Sequence, residues 1–168
     1  MFECLKPLLD TIMNPVKVIE EWADPDCRCL DGFTRSLQLD GYSCGAQCTF
    51  MILRYFGKAR SIENVTRELA TDTDGTSQTQ IRTLLKRRGL RPKRISSPKL
   101  RHLREAIDDN CPVLVSMDTD HWAVVYGYGP GAIYIVDPAL RRSFFCRCPV
   151  ENFCRRWDKW ALVVGPRQ

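Results

Sequence analysis

The sequence predicts an α+β domain in which helices come first and strands second. Four helical patterns of apolar residues lie between Cys44 and Pro112, and five short β-branched or aromatic runs follow. Because the two kinds of element are grouped and do not alternate, we expect helices packed on an antiparallel sheet. A chain of 168 residues, 44% of them hydrophobic, fits one domain with its own core.

The first 31 residues read as an extension that precedes this domain. Apolar residues recur there at helical spacing, and prolines at positions 15 and 25 interrupt the pattern. The recurring residues are Leu5, Leu8, Leu9, Ile12 and Met13. We therefore predict an N-terminal extension over residues 1–31 and a single domain over residues 32–168.

The stretch from Cys44 to Phe56 predicts a helix at the centre of the domain. Its sequence, CGAQCTFMILRYF, is apolar on nearly all sides, which is typical of a buried helix. Gly57 follows directly and is a common residue at a helix C-terminus. The helix is therefore expected to have neighbours all around it.

Three more helices are predicted downstream. One begins after Ser61, a good N-cap, and the other two cover about residues 77–88 and 98–109. Their apolar faces consist of Ile62, Val65, Leu69, Ile81, Leu84, Leu85, Leu100, Leu103 and Ile107. Each face predicts packing against the rest of the domain.

After Pro112 the pattern changes to short runs separated by turns. The runs are VLVSM, HWAVVYGY, AIYIVD, SFFCRC and ALVVG. They are rich in β-branched and aromatic residues, which favour strands, and the turn GPG can join two of them into a hairpin. An antiparallel sheet is therefore expected in the C-terminal half.

Composition limits where the protein acts. No run of 18 apolar residues is present, so no membrane-spanning helix is expected. Charged residues interrupt the N-terminal segment, which does not fit a secretory signal. The sequence therefore predicts a cytoplasmic protein whose nine cysteines are reduced. It indicates no cofactor and no particular oligomeric state.

Cys44 is the strongest candidate for a nucleophile. A cysteine attacks as its thiolate, whereas a free cysteine has a pKa of about 8.5. Cys44 follows the turn DGYS and opens the central helix, where backbone N–H groups and the helix dipole favour negative charge. Cys48 lies one turn deeper, gains little from either effect, and is expected in the core.

The two histidines differ as candidates for the base. His121 begins the run HWAVVYGY, and Asp137 ends the run AIYIVD. If the GPG turn closes a hairpin between these runs, the two side chains meet at one end of the sheet. The carboxylate can then orient the imidazole and stabilise its charged form. His102 lies on the face of a helix that is expected to point to solvent.

Gln38 completes the candidate site. It lies six residues before Cys44, across the same turn. Its side-chain amide and the Cys44 backbone N–H can both donate hydrogen bonds to an oxyanion that develops on a substrate carbonyl. Gln38, Cys44, His121 and Asp137 together predict a thiol hydrolase that acts on a peptide or amide bond.

In this order and spacing, the four residues resemble those of the papain-like cysteine peptidases. Three segments are more closely similar to the C39 peptidase family, the bacteriocin-processing domain: QLDGYSCGAQCTFMILRYFG, DGTSQTQIRTLLKRRGLRPKRI and HWAVVYGYGPGAIYIVDPA. The resemblance implies a papain-like α+β fold with the Cys44 helix packed on an antiparallel sheet. It also implies a role for each site residue. Cys44 would be the nucleophile, His121 the general base, Asp137 its orienter and Gln38 the oxyanion donor.

Members of this family usually cut a leader peptide after a Gly-Gly pair, and most are the N-terminal domain of an ABC exporter. This sequence departs from that pattern. No transporter accompanies the domain, residues 1–31 precede it, and Ser43 stands where an aspartate is common. We therefore expect a stand-alone cysteine peptidase with a peptide or protein substrate, and a double-glycine leader is one candidate substrate.

Two other functions are compatible with the same fold. An acyltransferase would form the same acyl-thioester on Cys44 and pass the acyl group to an amine instead of water. A binding module would use the fold without chemistry. Such a module would be expected to have lost Cys44 or His121, and both are present.

Four cysteines form a second candidate site. Cys27 and Cys29 make one Cys-Arg-Cys pair, and Cys146 and Cys148 make another. Four thiolates can bind zinc tetrahedrally. The spacing is tighter than the usual zinc knuckle, however, so separate reduced thiols are the alternative interpretation.

Basic residues cluster over residues 82–104, a range without any acidic residue. One interpretation is an anionic partner, such as a nucleic acid, a membrane surface or an acidic peptide. The other is that the charges cover the solvent-facing sides of two helices and a strand. No aromatic residue lies among them, which argues against stacking on a single-stranded nucleic acid.

Overall fold

The computed structural model describes residues 26–139 and 145–167, with the side chains of Phe145 and Cys146 left out. The helical pattern between Leu5 and Met13 lies outside the described residues. Within them, none of the helices has the length and apolar character needed to cross a bilayer.

The described residues form five helices and seven strands. The helices are α1 (Cys44–Tyr55), α2 (Ile62–Leu69), α3 (Gln78–Arg87), α4 (Leu100–Asp108) and α5 (Val150–Arg156). The strands are β1 (Arg28–Cys29), β2 (Leu90–Arg94), β3 (Val113–Met117), β4 (His121–Gly129), β5 (Ala132–Val136), β6 (Phe145–Pro149) and β7 (Trp157–Pro166). The four predicted helices α1 to α4 are confirmed, whereas β1 and α5 were not predicted.

Serine caps explain where two of these helices begin. The Ser61 hydroxyl accepts a hydrogen bond from the Asn64 backbone N–H at the start of α2. At the start of α3, Ser77 and Gln80 form a reciprocal capping box, in which each side chain accepts from the other residue's backbone N–H. Both caps satisfy N–H groups that a helix leaves unpaired at its first turn.

The strands form one sheet in the order β2-β7-β3-β4-β5-β6, and every pairing is antiparallel. The predicted α+β class with a C-terminal antiparallel sheet is confirmed. All residues of β5 are buried, which agrees with its unbroken apolar sequence. The Pro130–Gly131 turn joins β4 to β5 as a hairpin.

Helix α1 lies at the centre of the domain. Every residue from Cys44 to Leu53 is buried, and α1 contacts α2, α3 and β4. Side chains such as Met51 and Ile52 are fully buried, and each contributes about 1.5–3 kcal/mol through the area removed from water. The helix is apolar on nearly all sides because it has neighbours on nearly all sides.

Strand β1 precedes the predicted start of the domain at residue 32, yet it belongs to the sheet. Arg28 pairs with Tyr128 and Cys29 with Gly127, next to the part of β4 that pairs with β3. Leu30 follows, buried at 3% exposure, and its backbone N–H donates to the Tyr126 carbonyl. Part of the segment assigned to the extension therefore packs with the sheet.

Candidate active site

His121 and Asp137 meet at one end of the β4–β5 hairpin. Val124 pairs with Val136 across the hairpin, and this register brings the first residue of β4 close to the residue that follows β5. The His121 Nε2 atom lies 2.7 Å from Asp137 Oδ1. The His121 side chain is 14% exposed and that of Asp137 is 1% exposed, so the pair is largely shielded from water.

The environment of His121 favours its charged form. Burial alone would lower the pKa of this imidazole. Hydrogen bonds and charge interactions with Asp137 and Cys44 act in the opposite direction, and they raise the pKa of His121 to about 9. Nε2 is paired with Asp137, and the imidazole also interacts with Cys44.

Cys44 is the first residue of α1 and is buried. The Gln47 backbone N–H donates to the Ser43 carbonyl at the start of α1. The N–H groups of the first turn, beginning with that of Cys44, have no carbonyl partner within the helix. Cys48, one turn further, is fully buried, and burial raises its pKa well above the usual range. Cys48 is therefore a core residue, as predicted, and Cys44 is the thiol that faces the histidine.

A tight turn connects Gln38 to Cys44. The Asp40 carboxylate accepts hydrogen bonds from the backbone N–H groups of Tyr42 and Ser43, at 2.9 and 2.7 Å. Slight burial opposes the charge on Asp40, but these bonds lower the pKa of its carboxyl. The turn therefore delivers Cys44 in a defined orientation, a contribution of Asp40 that the sequence patterns did not reveal.

Gln38 is buried in the same turn. Its Nε2 donates to the Asp40 carbonyl at 2.8 Å, which identifies that end of the amide as the nitrogen. An amide nitrogen carries two hydrogens, so one remains for another acceptor. The Gln38 backbone N–H donates to the Pro138 carbonyl at 2.9 Å. This bond ties Gln38 to the residue directly after Asp137.

Gly45, Thr76 and Trp122 form a close contact beside the site. A Cβ on Gly45 would lie 2.8 Å from Thr76 Cβ, closer than real Cβ atoms approach, and 3.0 Å from Trp122 Cδ1, which is tighter than most real contacts. Trp122 also donates from Nε1 to the Thr76 carbonyl at 3.2 Å. A glycine directly after Cys44 in a helix is the sequence signal that could have indicated this close approach.

The second histidine has a local role. His102 Nδ1 accepts a hydrogen bond from the Lys99 backbone N–H at 3.0 Å, at the start of α4. It is half-buried, and none of its recorded contacts involves the site residues. His121 is therefore the histidine of the site.

The zinc site at the four cysteines stays a prediction, and the strand order of the described residues does not favour it. Cys27 and Cys29 lie at β1, whereas Cys146 and Cys148 lie on β6. Strands β4 and β5 stand between them, so the two pairs are about 14 Å apart at the usual strand spacing, whereas zinc lies only about 2.3 Å from its sulfur ligands. In the described part of the chain, no three His, Cys, Asp or Glu residues converge on a metal position.

A cysteine at the start of a buried central helix, with a histidine and an aspartate on an antiparallel sheet, is the arrangement found in the papain-like cysteine peptidase fold. The family model of the Peptidase C39 family matches residues 33–168. The chain belongs to this family of cysteine peptidases.

Comparisons with known proteins agree with this fold. The chain is 25% identical over 142 residues to the lactococcin-G-processing and transport ATP-binding protein LagD of Lactococcus lactis subsp. lactis. That match covers 77% of this chain but only 18% of the relative.

Two solved structures superpose with a TM-score of 0.70 each. One is a double glycine motif protease from an AMS/PCAT transporter in complex with the leader peptide. It is 23% identical, and the match covers 83% of this chain and 95% of the other. The second is the peptidase domain of Streptococcus ComA, a bifunctional ABC transporter of a quorum-sensing pathway. It is 22% identical, and the match covers 80% of this chain and 99% of the other.

Proposed function

We propose that this protein cleaves a leader peptide after a pair of glycines, with Cys44 as nucleophile. The observation that carries the proposal is the His121 imidazole, which is paired with Asp137 on one side and interacts with Cys44 on the other. The substrate class is supported by the relatives, one of which is a lactococcin-G-processing protein and another a double glycine motif protease in complex with the leader peptide.

In the first half-reaction the Cys44 thiolate attacks the carbonyl carbon of the scissile peptide, and a carbon–sulfur bond forms. The carbonyl oxygen becomes an oxyanion that accepts hydrogen bonds from the Cys44 backbone N–H and from the free hydrogen of Gln38 Nε2. The carbon–nitrogen bond then breaks as the His121 imidazolium gives its proton to the leaving amine. An acyl-thioester on Cys44 remains.

In the second half-reaction water attacks the thioester while neutral His121 accepts one of its protons. The carbon–sulfur bond breaks, the acyl group leaves as a carboxylic acid, and the Cys44 thiolate beside the His121 imidazolium is restored. Asp137 stays ionised throughout and holds the imidazole through Nε2. Removal of one oxyanion donor typically costs roughly 10²–10³ in rate.

The experiment uses a synthetic peptide in which a Gly-Gly pair separates a leader segment from a cargo segment. Mass spectrometry should show cleavage after the second glycine by the wild-type protein. Cys44→Ala should abolish it, whereas the matched control Cys111→Ala, which removes a half-buried thiol elsewhere, should retain it. Undiminished cleavage by Cys44→Ala would disprove the proposed nucleophile.

Two further arms of the same experiment separate the alternatives. If the protein cleaves peptides of a library only at other sequences, the proposed peptidase activity is retained and the proposed double-glycine substrate is rejected. If an added amine captures the acyl group in preference to water, the protein is an acyltransferase. A wild-type Cys44 that reacts with iodoacetamide no faster than a model thiol would instead indicate a binding module.

We also propose a cytoplasmic location. The mechanism needs Cys44 as a free thiol, and the reducing conditions of the cytosol keep thiols in that state. Fractionation of cells that express the protein, followed by detection in the soluble cytosolic fraction, would test this location.

A further inference from the structure

The turn that delivers His121 has an unfavourable backbone conformation. Residues 118–120 join β3 to β4, and His121 follows them directly. Asp118 and Thr119 have φ angles of 53° and 74°, in the left-handed region that non-glycine residues rarely adopt. Thr119 is also β-branched, which makes this region still less favourable. Such a turn persists only where surrounding contacts hold it in place.

Two residues at the junction of α5 and β7 supply these contacts. The Arg156 guanidinium donates from Nε to both oxygens of Asp118 at 3.1 Å and from Nη2 to Oδ2 at 2.7 Å. The Asp118 backbone N–H donates to the Arg156 carbonyl at 2.8 Å. The Asp158 carboxylate accepts from the Thr119 N–H at 3.1 Å and from the Ser116 hydroxyl at 2.6 Å.

These contacts tie both left-handed residues to a distant part of the chain. The Arg156–Asp118 pair is about one-third exposed on each side, and exposed ion pairs contribute little to overall stability. Its forked geometry instead favours one orientation of the turn. Met117 on β3 pairs with His121 on one side and with Trp157 on the other. Arg156 and Asp158, which flank Trp157, therefore lie near the start of β4.

We propose that Arg156 and Asp158 are positioning residues that hold the 118–120 turn and thereby place the His121 imidazole against Cys44. The Arg156 charge also interacts with Asp137, the partner of His121. The hydrogen bonds that Arg156 and Asp158 make to the turn act through the backbone that leads into His121. The inference rests on the proposed function of Cys44 and His121. A misplacement of a catalytic group by about 1 Å can reduce the rate by up to about 10²-fold.

The first test measures kinetics with the Gly-Gly peptide. Arg156→Gln removes the fork and should lower kcat by roughly 10- to 100-fold with KM nearly unchanged, because the imidazole and not the substrate is displaced. Arg155→Gln is the matched control: it removes the same charge from the neighbouring residue, whose recorded bond is to Asn152. It should behave as wild type. Asp158→Ala should resemble Arg156→Gln.

The second test needs no substrate. The rate of Cys44 alkylation by iodoacetamide is measured against pH, with peptide mapping to identify the labelled thiol. In wild type and Arg155→Gln, we expect fast labelling at neutral pH that depends on His121. In Arg156→Gln, we expect labelling at neutral pH to fall towards the rate of the His121→Gln variant, because the imidazolium is no longer held beside the sulfur.

The two tests separate failure of this inference from failure of the proposed function. If the wild-type protein cleaves no peptide but Arg156→Gln loses the fast alkylation, the positioning role holds and the peptidase proposal fails. If Arg156→Gln keeps the wild-type alkylation profile, the positioning role is wrong. Arg156→Lys keeps the charge without the fork, and it carries both tests if Arg156→Gln does not fold.

Discussion

At His121, burial is the largest single influence on the pKa and lowers it, but hydrogen bonds and charge interactions together outweigh burial. An imidazole that loses water prefers to be neutral, yet Asp137 and Cys44 raise the pKa of His121 to about 9, above the usual 6.5. The proton is therefore retained at neutral pH, where the proposed mechanism requires it for the leaving amine.

This shift predicts how stability depends on pH. A histidine whose pKa is higher in the folded state stabilises the fold fully below the unfolded pKa of 6.5 and ceases to do so as pH rises through about 9. We expect the free energy of unfolding, measured with urea at each pH, to fall over this interval. His102→Gln should show the same fall, and His121→Gln should lose the part that is due to His121.

Gln38 hydrogen-bonds within the turn, and in the proposed mechanism it also donates to the oxyanion. These two roles predict different results. Gln38→Ala should lower kcat by roughly 10²–10³ because the side-chain donor to the oxyanion is lost. Alkylation of Cys44 forms no oxyanion, so its rate should stay near that of wild type if the turn keeps its shape. Kinetics and labelling on the same sample check this, and slow alkylation would show that the turn depends on Gln38.

At the scale of elements, α1 and β4 approach each other most closely at Gly45. The contact among Gly45, Thr76 and Trp122 leaves no room for a Cβ. Trp122 also packs edge-on against Trp160, with the ring centroids 4.9 Å apart. Helix α1, which begins with Cys44, is therefore set against the strand that begins with His121.

Gly45→Ala tests this approach. The added methyl group must displace Thr76 or Trp122, and such overpacking typically costs about 1–3 kcal/mol. Urea denaturation should show that loss. Gly41→Ala is the control, because a Cβ on Gly41 would meet nothing within 4 Å. Equal stability of the two variants would contradict the close approach.

The basic residues of β2 have a structural explanation that needs no partner. β2 is the end strand of the sheet order, and Arg91 and Lys93 are exposed on it around Pro92. Lysine, other charged residues and proline on edge strands prevent pairing with other chains. An anionic partner for residues 82–104 stays a prediction. Loss of binding to anionic vesicles or nucleic acid on charge reversal of Arg91 and Lys93 would test it.

At the scale of the whole molecule, the sheet extends further towards the N-terminus than the predicted domain boundary. Leu30 is 3% exposed and lies directly after β1, while Leu39 is 85% exposed in the loop before α1. The same residue type is buried at position 30 and exposed at position 39. Substitutions at these two positions therefore make a matched comparison of the effect of burial on stability.

Leu30→Ala should therefore destabilise the fold by about 2–5 kcal/mol, because it removes buried methyl groups and leaves a cavity. Leu39→Ala should change stability by less than about 0.5 kcal/mol, as is usual for surface positions. Thermal and urea unfolding check both. A small effect of Leu30→Ala would support the boundary at residues 31 and 32.

Local patterns predicted helices α1 to α4 and most of the sheet, because each of these elements is decided by nearby residues. The apolar period of α1, the serine caps of α2 and α3, and the GPG turn all act within a few positions. The predicted proximity of His121 and Asp137 also followed from one hairpin, since its turn largely sets the register. Cys44 was recognisable because a helix N-terminus is a local feature too.

Contacts between distant segments were beyond these patterns. The place of β1 beside β4, the separation of the Cys-Arg-Cys pairs, and the bonds from Arg156 and Asp158 to the 118–120 turn join residues far apart in the chain. Neither periodicity nor turn chemistry encodes which strand lies next to which, because that depends on how all the apolar faces are buried at once. The candidate site residues could therefore be predicted from the sequence, whereas the contacts of Arg156 and Asp158 that hold the 118–120 turn could be identified only in the folded chain.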